Sequence, residues 1–244
     1  MDASALRVAT TGAGREIGRR MARLWRWKLA GMTGGMAGFF AAYFWVLRHP
    51  QGPVQTMPVT AVDGWIAFQP EWLAVYGSLW IYVSLLPALQ KTPGELADYA
   101  VRAISLSAVG LGIFVVWPTA VPVREIDWTQ HAGFAWLKQI DATGNACPSL
   151  HVAFAVFSAI GIGRVWREIG AGGVMRGANR VWCAAIVYST VAIGQHVVLD
   201  LVAGAALGAA AAVRISPRTA QKPESDGGRE ITSGQKEQDR RTTG

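Results

Sequence analysis

Residues 29–47 read LAGMTGGMAGFFAAYFWVL, a stretch without a single charged side chain. The hydrocarbon core of a bilayer is about 30 Å thick and needs about 20 mostly apolar residues of helix to cross it. This stretch is long enough, and five more resemble it. They are Trp72–Leu89, Ala100–Trp117, Ser149–Val165, Val181–Ile193 and His196–Val213. The fifth is short, and its helix is expected to begin earlier, in the glycine-rich run before it. Inside these segments ionisable groups lie only near the ends: Arg102, His151, Arg164, His196 and Asp200. The fold class that follows is all-α, a polytopic membrane protein built as a six-transmembrane-helix bundle. Composition agrees: 51% of the 244 residues are hydrophobic, only 16% are charged, and 11 are tryptophan. A disordered chain would be poor in aromatics and rich in charge. A disulfide scaffold needs more than two cysteines.

Lys and Arg favour the cytoplasmic side of a membrane. With six spans, 20 of the 23 basic residues fall on one side, including Arg7, Arg15, Arg19, Arg20, Arg23, Arg26 and Lys28 at the N-terminus. Arg48, Arg124 and Lys138 fall on the other. Both termini are therefore expected in the cytoplasm. The expected organisation is a basic cytoplasmic N-terminal segment (1–28), a membrane domain (29–215) and a disordered cytoplasmic tail (216–244). The tail is polar and too poor in apolar residues to offset the entropy of ordering. The net charge of +7 is mostly this inside signature, and no nucleic-acid partner is needed to explain it. Seven tryptophans near span ends suit aromatic belts. The stretch Thr11–Gly18 looks like a dinucleotide-binding turn, but it has neither the preceding strand nor the following βαβ unit that such a turn requires.

All four histidines, His49, His131, His151 and His196, map to the outer side. Two sit at span ends in polar company. In Asn145–His151, Pro148 suits a first helical turn. That puts Ser149 and His151 at a helix N-terminus, where free N–H groups and the dipole attract anions. In Ser189–Asp200, His196 and Asp200 are four apart and near one helix face. A carboxylate there fixes the imidazole tautomer and leaves the other nitrogen basic. Each cluster has a plain reading, a capped helix or a satisfied intramembrane pair, and the second also suits a proton path. Together, both at the outer ends of their spans, they suggest phosphoryl transfer, one histidine attacking and the other protonating the leaving oxygen.

Pro148-Ser149-Leu150-His151 resembles the Pro-Ser-Gly-His motif of the type 2 phosphatidic acid phosphatase superfamily. Ser189-Thr190, five residues, His196, three residues and Asp200 resembles its Ser-Arg…His…Asp motif with the same spacing. The Pro-Ser-Leu-His form is most similar to the branch that contains inositol phosphorylceramide synthases. The resemblance spans about Phe114 to Gly208. It implies that His196 is the nucleophile and forms a phosphohistidine. It further implies that Asp200 orients His196, that His151 acts as general acid and then base, and that Ser149 binds phosphate. Thr190 replaces the motif arginine. The family's third motif, Lys-x-x-x-x-x-x-Arg-Pro, has no recognisable counterpart. The nearest stretch, Trp117–Arg124, supplies one arginine, so Arg124 is the candidate phosphate-binding cation, with Thr190 beside it.

The expected activity is thus hydrolysis of a lipid phosphate at the extracytoplasmic face of a cell membrane, with membrane lipids as the surroundings. No cofactor is expected, and no His or Cys pair has metal-ligand spacing. Headgroup transfer to an alcohol shares the first half-reaction and is the alternative. A transporter or proton relay using His196 and Asp200 is the non-enzymatic one. The sequence names neither the lipid nor the oligomeric state.

Overall fold

A computed structural model describes residues 3–123 and 144–213, with side chains from residue 12 onward. Arg124, His131, Lys138 and the expected tail therefore lie outside the described residues.

The described chain opens with α1 (Ala3–Ala22) and α2 (Trp25–Arg48), joined through Leu24, the N-cap of α2, in a left-handed conformation. Next come strand β1 (Gln55–Thr56), the short helix α3 (Ala61–Trp65), a 3-10 turn (Pro70–Trp72), α4 (Leu73–Gly77) and α5 (Leu79–Ala88). Then follow α6 (Pro93–Val116), strand β2 (Thr119–Ala120), α7 (Leu150–Glu168), α8 (Gly173–Ala192) and α9 (Val198–Ala212). Every apolar segment read from the sequence is helical. Three of the described helices, α2, α6 and α7, are long and apolar enough by length and composition to cross a membrane.

One expected boundary is corrected and another is met. The second segment is not one helix: it breaks at Ser78, between α4 and α5, where the Ser78 hydroxyl donates to the Val75 carbonyl at 2.6 Å. A Gly77-Ser78 pair is a common cause of such breaks. The fifth starts at Gly173, as the glycine-rich run allowed.

The core gathers on α7, against which α5, α8 and α9 pack. Gly204 and Gly208 set the α7–α9 contact. A Cβ at 204 would lie 2.3 Å from the Ser149 carbonyl oxygen, and one at 208 would lie 2.2 Å from that of Ala153. Only glycine permits this approach, the close packing that small-xxx-small spacing favours. On the α5 side, the buried Tyr82 hydroxyl donates to Asn179 Oδ1 at 2.8 Å, and Asn179 Nδ2 donates to the Ala159 carbonyl at 3.0 Å.

Charged side chains collect at one end of the bundle. Arg20 donates to Glu168 at 2.9 Å, and Lys91 pairs with the same carboxylate. Lys28 Nζ donates to the carbonyls of Arg20 (2.6 Å) and Ala88 (2.7 Å). These bonds pin α1 and the start of α2 to the ends of α5 and α7.

Candidate active site

The opposite end is built from two helix starts and one helix end. Helix α8 closes on Gly194, whose φ is 73°. The Gly194 N–H bonds to the Val191 carbonyl and the Gln195 N–H to the Thr190 carbonyl, both at 2.9 Å. This is the Schellman pair, which needs a left-handed residue that glycine supplies without strain. The Thr190 carbonyl also accepts from the His196 N–H at 3.1 Å. His196 is thereby fixed in the link before α9.

That corrects the expectation that His196 and Asp200 share a helical face. Helix α9 begins at Val198, and His196 precedes it. The pair forms nonetheless, because a carboxylate in the first turn folds back over the cap. Asp200 Oδ2 accepts from the Val197 N–H at 3.1 Å and lies 3.3 Å from His196 Nδ1.

Val197, the N-cap of α9, has no side-chain acceptor, so one comes from elsewhere. Asp63 Oδ1 accepts from the Val198 N–H at 2.8 Å, while its Oδ2 accepts from the Thr60 N–H (2.7 Å) and hydroxyl (2.6 Å). This buried carboxylate was not among the sequence candidates. Thr60-x-x-Asp63 spacing signals a helix start. It does not reveal that the second oxygen caps a helix 135 residues further on.

Ser149 is the N-cap of α7, with Oγ accepting from the Val152 N–H at 3.3 Å. Its own N–H donates to the Asp200 carbonyl at 3.0 Å, so the two helix starts are stapled together. Pro148 lies before the cap rather than in the first turn. The loop is held from below: β1 pairs with β2 in parallel, Thr119 bridges to Asn145, and Thr119 Oγ1 accepts from the Cys147 N–H at 2.8 Å. Burial, followed by the Asp200 charge, pushes the Cys147 thiol up to about 11. Both cysteines are free.

His151, in the first turn of α7, stacks on Tyr76 with ring centroids 4.1 Å apart and meets the edge of Trp80 at 5.8 Å. Neither aromatic was a sequence candidate, since nothing local links them to His151. Its Nε2 and Asp200 Oδ1 are buried without a hydrogen-bond partner among the described residues. An unsatisfied buried polar atom costs about 1–3 kcal/mol, and His151, which lines the cavity described next, carries one that a ligand there could satisfy.

His151 and His196 both line a cavity of about 910 Å³, with Asn145 and Gln195 near them. Most of the remaining wall is apolar and comes from α2, α5 and α6. Ser149, Thr190 and Asp200 do not line it; all three are fully buried. The Thr190 hydroxyl donates to the Val187 carbonyl at 2.7 Å, so its contribution to the site is the backbone carbonyl that holds His196. Arg124 lies outside the described residues. Among the described residues no cluster of three or more His, Cys, Asp or Glu is arranged to hold a metal.

Two histidines on one cavity wall, one held by a carboxylate, define a site suited to phosphoester chemistry. A family model described as the PAP2 superfamily matches residues 59–214, and the chain belongs to that superfamily, whose members are generally phosphatases or related phosphotransferases. Helices α1 and α2 precede the matched residues. No curated protein and no solved structure matches the chain.

Proposed function

We propose that the protein is an integral-membrane lipid phosphate phosphatase that works through a phosphohistidine and without a metal. The observation that carries this reading is the sharing of one cavity by His196, paired through Nδ1 to Asp200, and His151, whose Nε2 has no partner among the described residues.

The proposed steps make use of this geometry. A proton held at His196 Nδ1 by Asp200 leaves the lone pair on Nε2. Nε2 attacks phosphorus, the bond from phosphorus to the leaving oxygen breaks, and His151 gives that oxygen its proton. The imidazolium charge that develops is stabilised by Asp200. Water then attacks the phosphohistidine, His151 takes its proton, the P–N bond breaks and phosphate leaves. Acid–base help of this kind contributes about 10²–10⁴ in rate. Ser149 acts from behind the wall through the α7 N-terminus, whose dipole favours a phosphate, and Thr190 acts through the backbone of His196. Arg124 is the proposed cation for the equatorial oxygens, since phosphoryl transfer relies on positive charge there.

The proposed setting is a cell membrane crossed six times by residues 29–215, with both termini and the polar tail in the cytoplasm and the site on the outer face. The basic side chains of the sequence support it, as does the gathering of Arg20, Lys28 and Lys91 at the end of the bundle away from His151 and His196.

The test is phosphate release by purified protein in detergent with a chelator present. The panel is phosphatidic acid, a prenyl diphosphate and phosphatidylglycerol phosphate, with His196→Ala as the control. Release that disappears in the variant supports the proposal. Labelled headgroup appearing on an added alcohol, with no free phosphate, replaces hydrolysis by transfer. Folded protein that does neither overturns both.

A further inference from the structure

The cavity does not stop at the histidines. It continues along α2, one face of which lines it from Phe44 and Phe40 through Met36 and Gly35 to Gly31 and Lys28. Its catalytic end is tied to the site: Asn145 Nδ2 donates to the Tyr43 carbonyl at 3.4 Å, and Phe40 meets Trp80, the ring that touches His151. Its far end is bounded by Lys28, anchored to the Arg20 and Ala88 carbonyls, with Trp27 and Pro87 beside it.

The depth follows from the helix. Trp27 to Phe44 is 17 steps, or ~25 Å at 1.5 Å per residue. One leaflet of a bilayer holds only about 15 Å of hydrocarbon, half of the full core. The groove is therefore deeper than a leaflet. The tails of an ordinary two-chain phospholipid, lying in their own leaflet, would reach only its upper part. A chain that fills the whole groove has to run past the bilayer midplane.

We propose that this groove is a chain-length ruler: it selects a lipid phosphate whose apolar chain extends beyond the midplane, and α2 supplies its distinguishing wall. The inference rests on the phosphatase reading for the identity of the headgroup and adds the chemistry of the tail. Helix α2 lies outside the residues matched to the family. Lipid tails are already in an apolar medium, so the gain comes from packing rather than from transfer out of water. A good fit over the lower groove should therefore change the preference between chains by about tenfold, not by many orders of magnitude.

Glycine makes a clean test possible. A Cβ at Gly35 meets no protein atom within 4 Å, and Gly35 lines the cavity, so a large side chain there starts from open space on the groove wall. It closes the channel about 13 Å below Phe44, close to one leaflet's depth. Gly34, also unobstructed, is its neighbour on α2 but does not line the cavity. Purified wild type, Gly35→Trp and Gly34→Trp are compared on geranyl, farnesyl and undecaprenyl monophosphate in one detergent. The expected result is a kcat/KM that rises with chain length in the wild type. The ratio of undecaprenyl to farnesyl should fall about tenfold in Gly35→Trp and stay unchanged in Gly34→Trp. A wild type indifferent to chain length, or a ratio that Gly35→Trp leaves unmoved, overturns the ruler. If no protein releases phosphate, the activity reading fails by itself, and retention of undecaprenyl phosphate through purification, scored by mass spectrometry of extracted lipid, decides the groove. Preferential retention that Gly35→Trp removes supports it. Equal retention of farnesyl and undecaprenyl phosphate contradicts it.

Discussion

Gly204→Ala places a methyl group where the structure has no room for one. The added Cβ would sit 2.3 Å from the Ser149 carbonyl oxygen, against ordinary contacts of 3.4–4 Å, so the starts of α7 and α9 must separate by about 1 Å. That separation opens the Ser149 N–H···Asp200 carbonyl bond, now 3.0 Å, and leaves both groups buried. Overpacking costs about 1–3 kcal/mol and an unsatisfied buried polar group about 1–3 kcal/mol. The two overlap, because one movement relieves the first by causing the second, so the expected loss of stability is about 2–4 kcal/mol. The same movement shifts His151 relative to His196, and a misplacement of about 1 Å is worth about 10² in rate. Thermal unfolding in detergent and phosphate release at saturating substrate measure the two effects. Gly112→Ala, whose Cβ meets nothing within 4 Å, serves as the control and should leave the rate unchanged without lowering the melting temperature. A Gly204→Ala protein with wild-type melting temperature and rate would refute the claim that the close approach of α9 to α7 sets the site.

Two further outcomes follow from the second ring of contacts. Asp63→Asn keeps the shape but removes the charge that caps α9. It should cost about 1 kcal/mol, as other lost caps do, and should lower kcat more than it changes KM, because the first turn of α9 carries Asp200. A pure KM effect would place Asp63 in substrate binding instead. Cys147, with its thiol raised to about 11, exists as thiolate at only about a thousandth of its population at pH 8. In a Cys183→Ser background its alkylation should be slow at pH 8, accelerate as pH rises towards 11, and become faster in Asp200→Asn, which removes the second cause of the shift. Alkylation at the rate of an ordinary exposed thiol would contradict the buried site.

The helices were legible in the sequence as long uncharged apolar segments, each of which appears as a helix or a helix pair, and three of the described helices are long and apolar enough to cross a membrane. The close approach of α9 was legible from Gly204 and Gly208, since such spacing has one main physical use. His196 and Asp200 were legible as a pair, but for the wrong reason: sequence spacing implied one helical face, whereas the contact is made across a helix start. Gly194 was the available signal, an isolated glycine after an apolar run, the place where a helix ends in a left-handed residue. Asp63, Tyr76 and Trp80 were not legible. Each reaches the site from a distant part of the chain, and each has an adequate local explanation, a capping box for Asp63 and an apolar helix for the two rings. Thr190 was legible only as a substitution. What it contributes is a carbonyl, and any residue type supplies that.

The central claim, that His196 carries the phosphoryl group, has a direct measurement. His151→Ala protein is mixed with an aryl phosphate, whose leaving group needs no acid, and quenched at alkaline pH for peptide mass spectrometry. The account predicts a phosphoryl group on His196 that accumulates because the base for the second step is gone, and no such adduct in His151→Ala/His196→Ala. Turnover without any phosphorylated His196, or a phosphoryl group found on another residue, would contradict it.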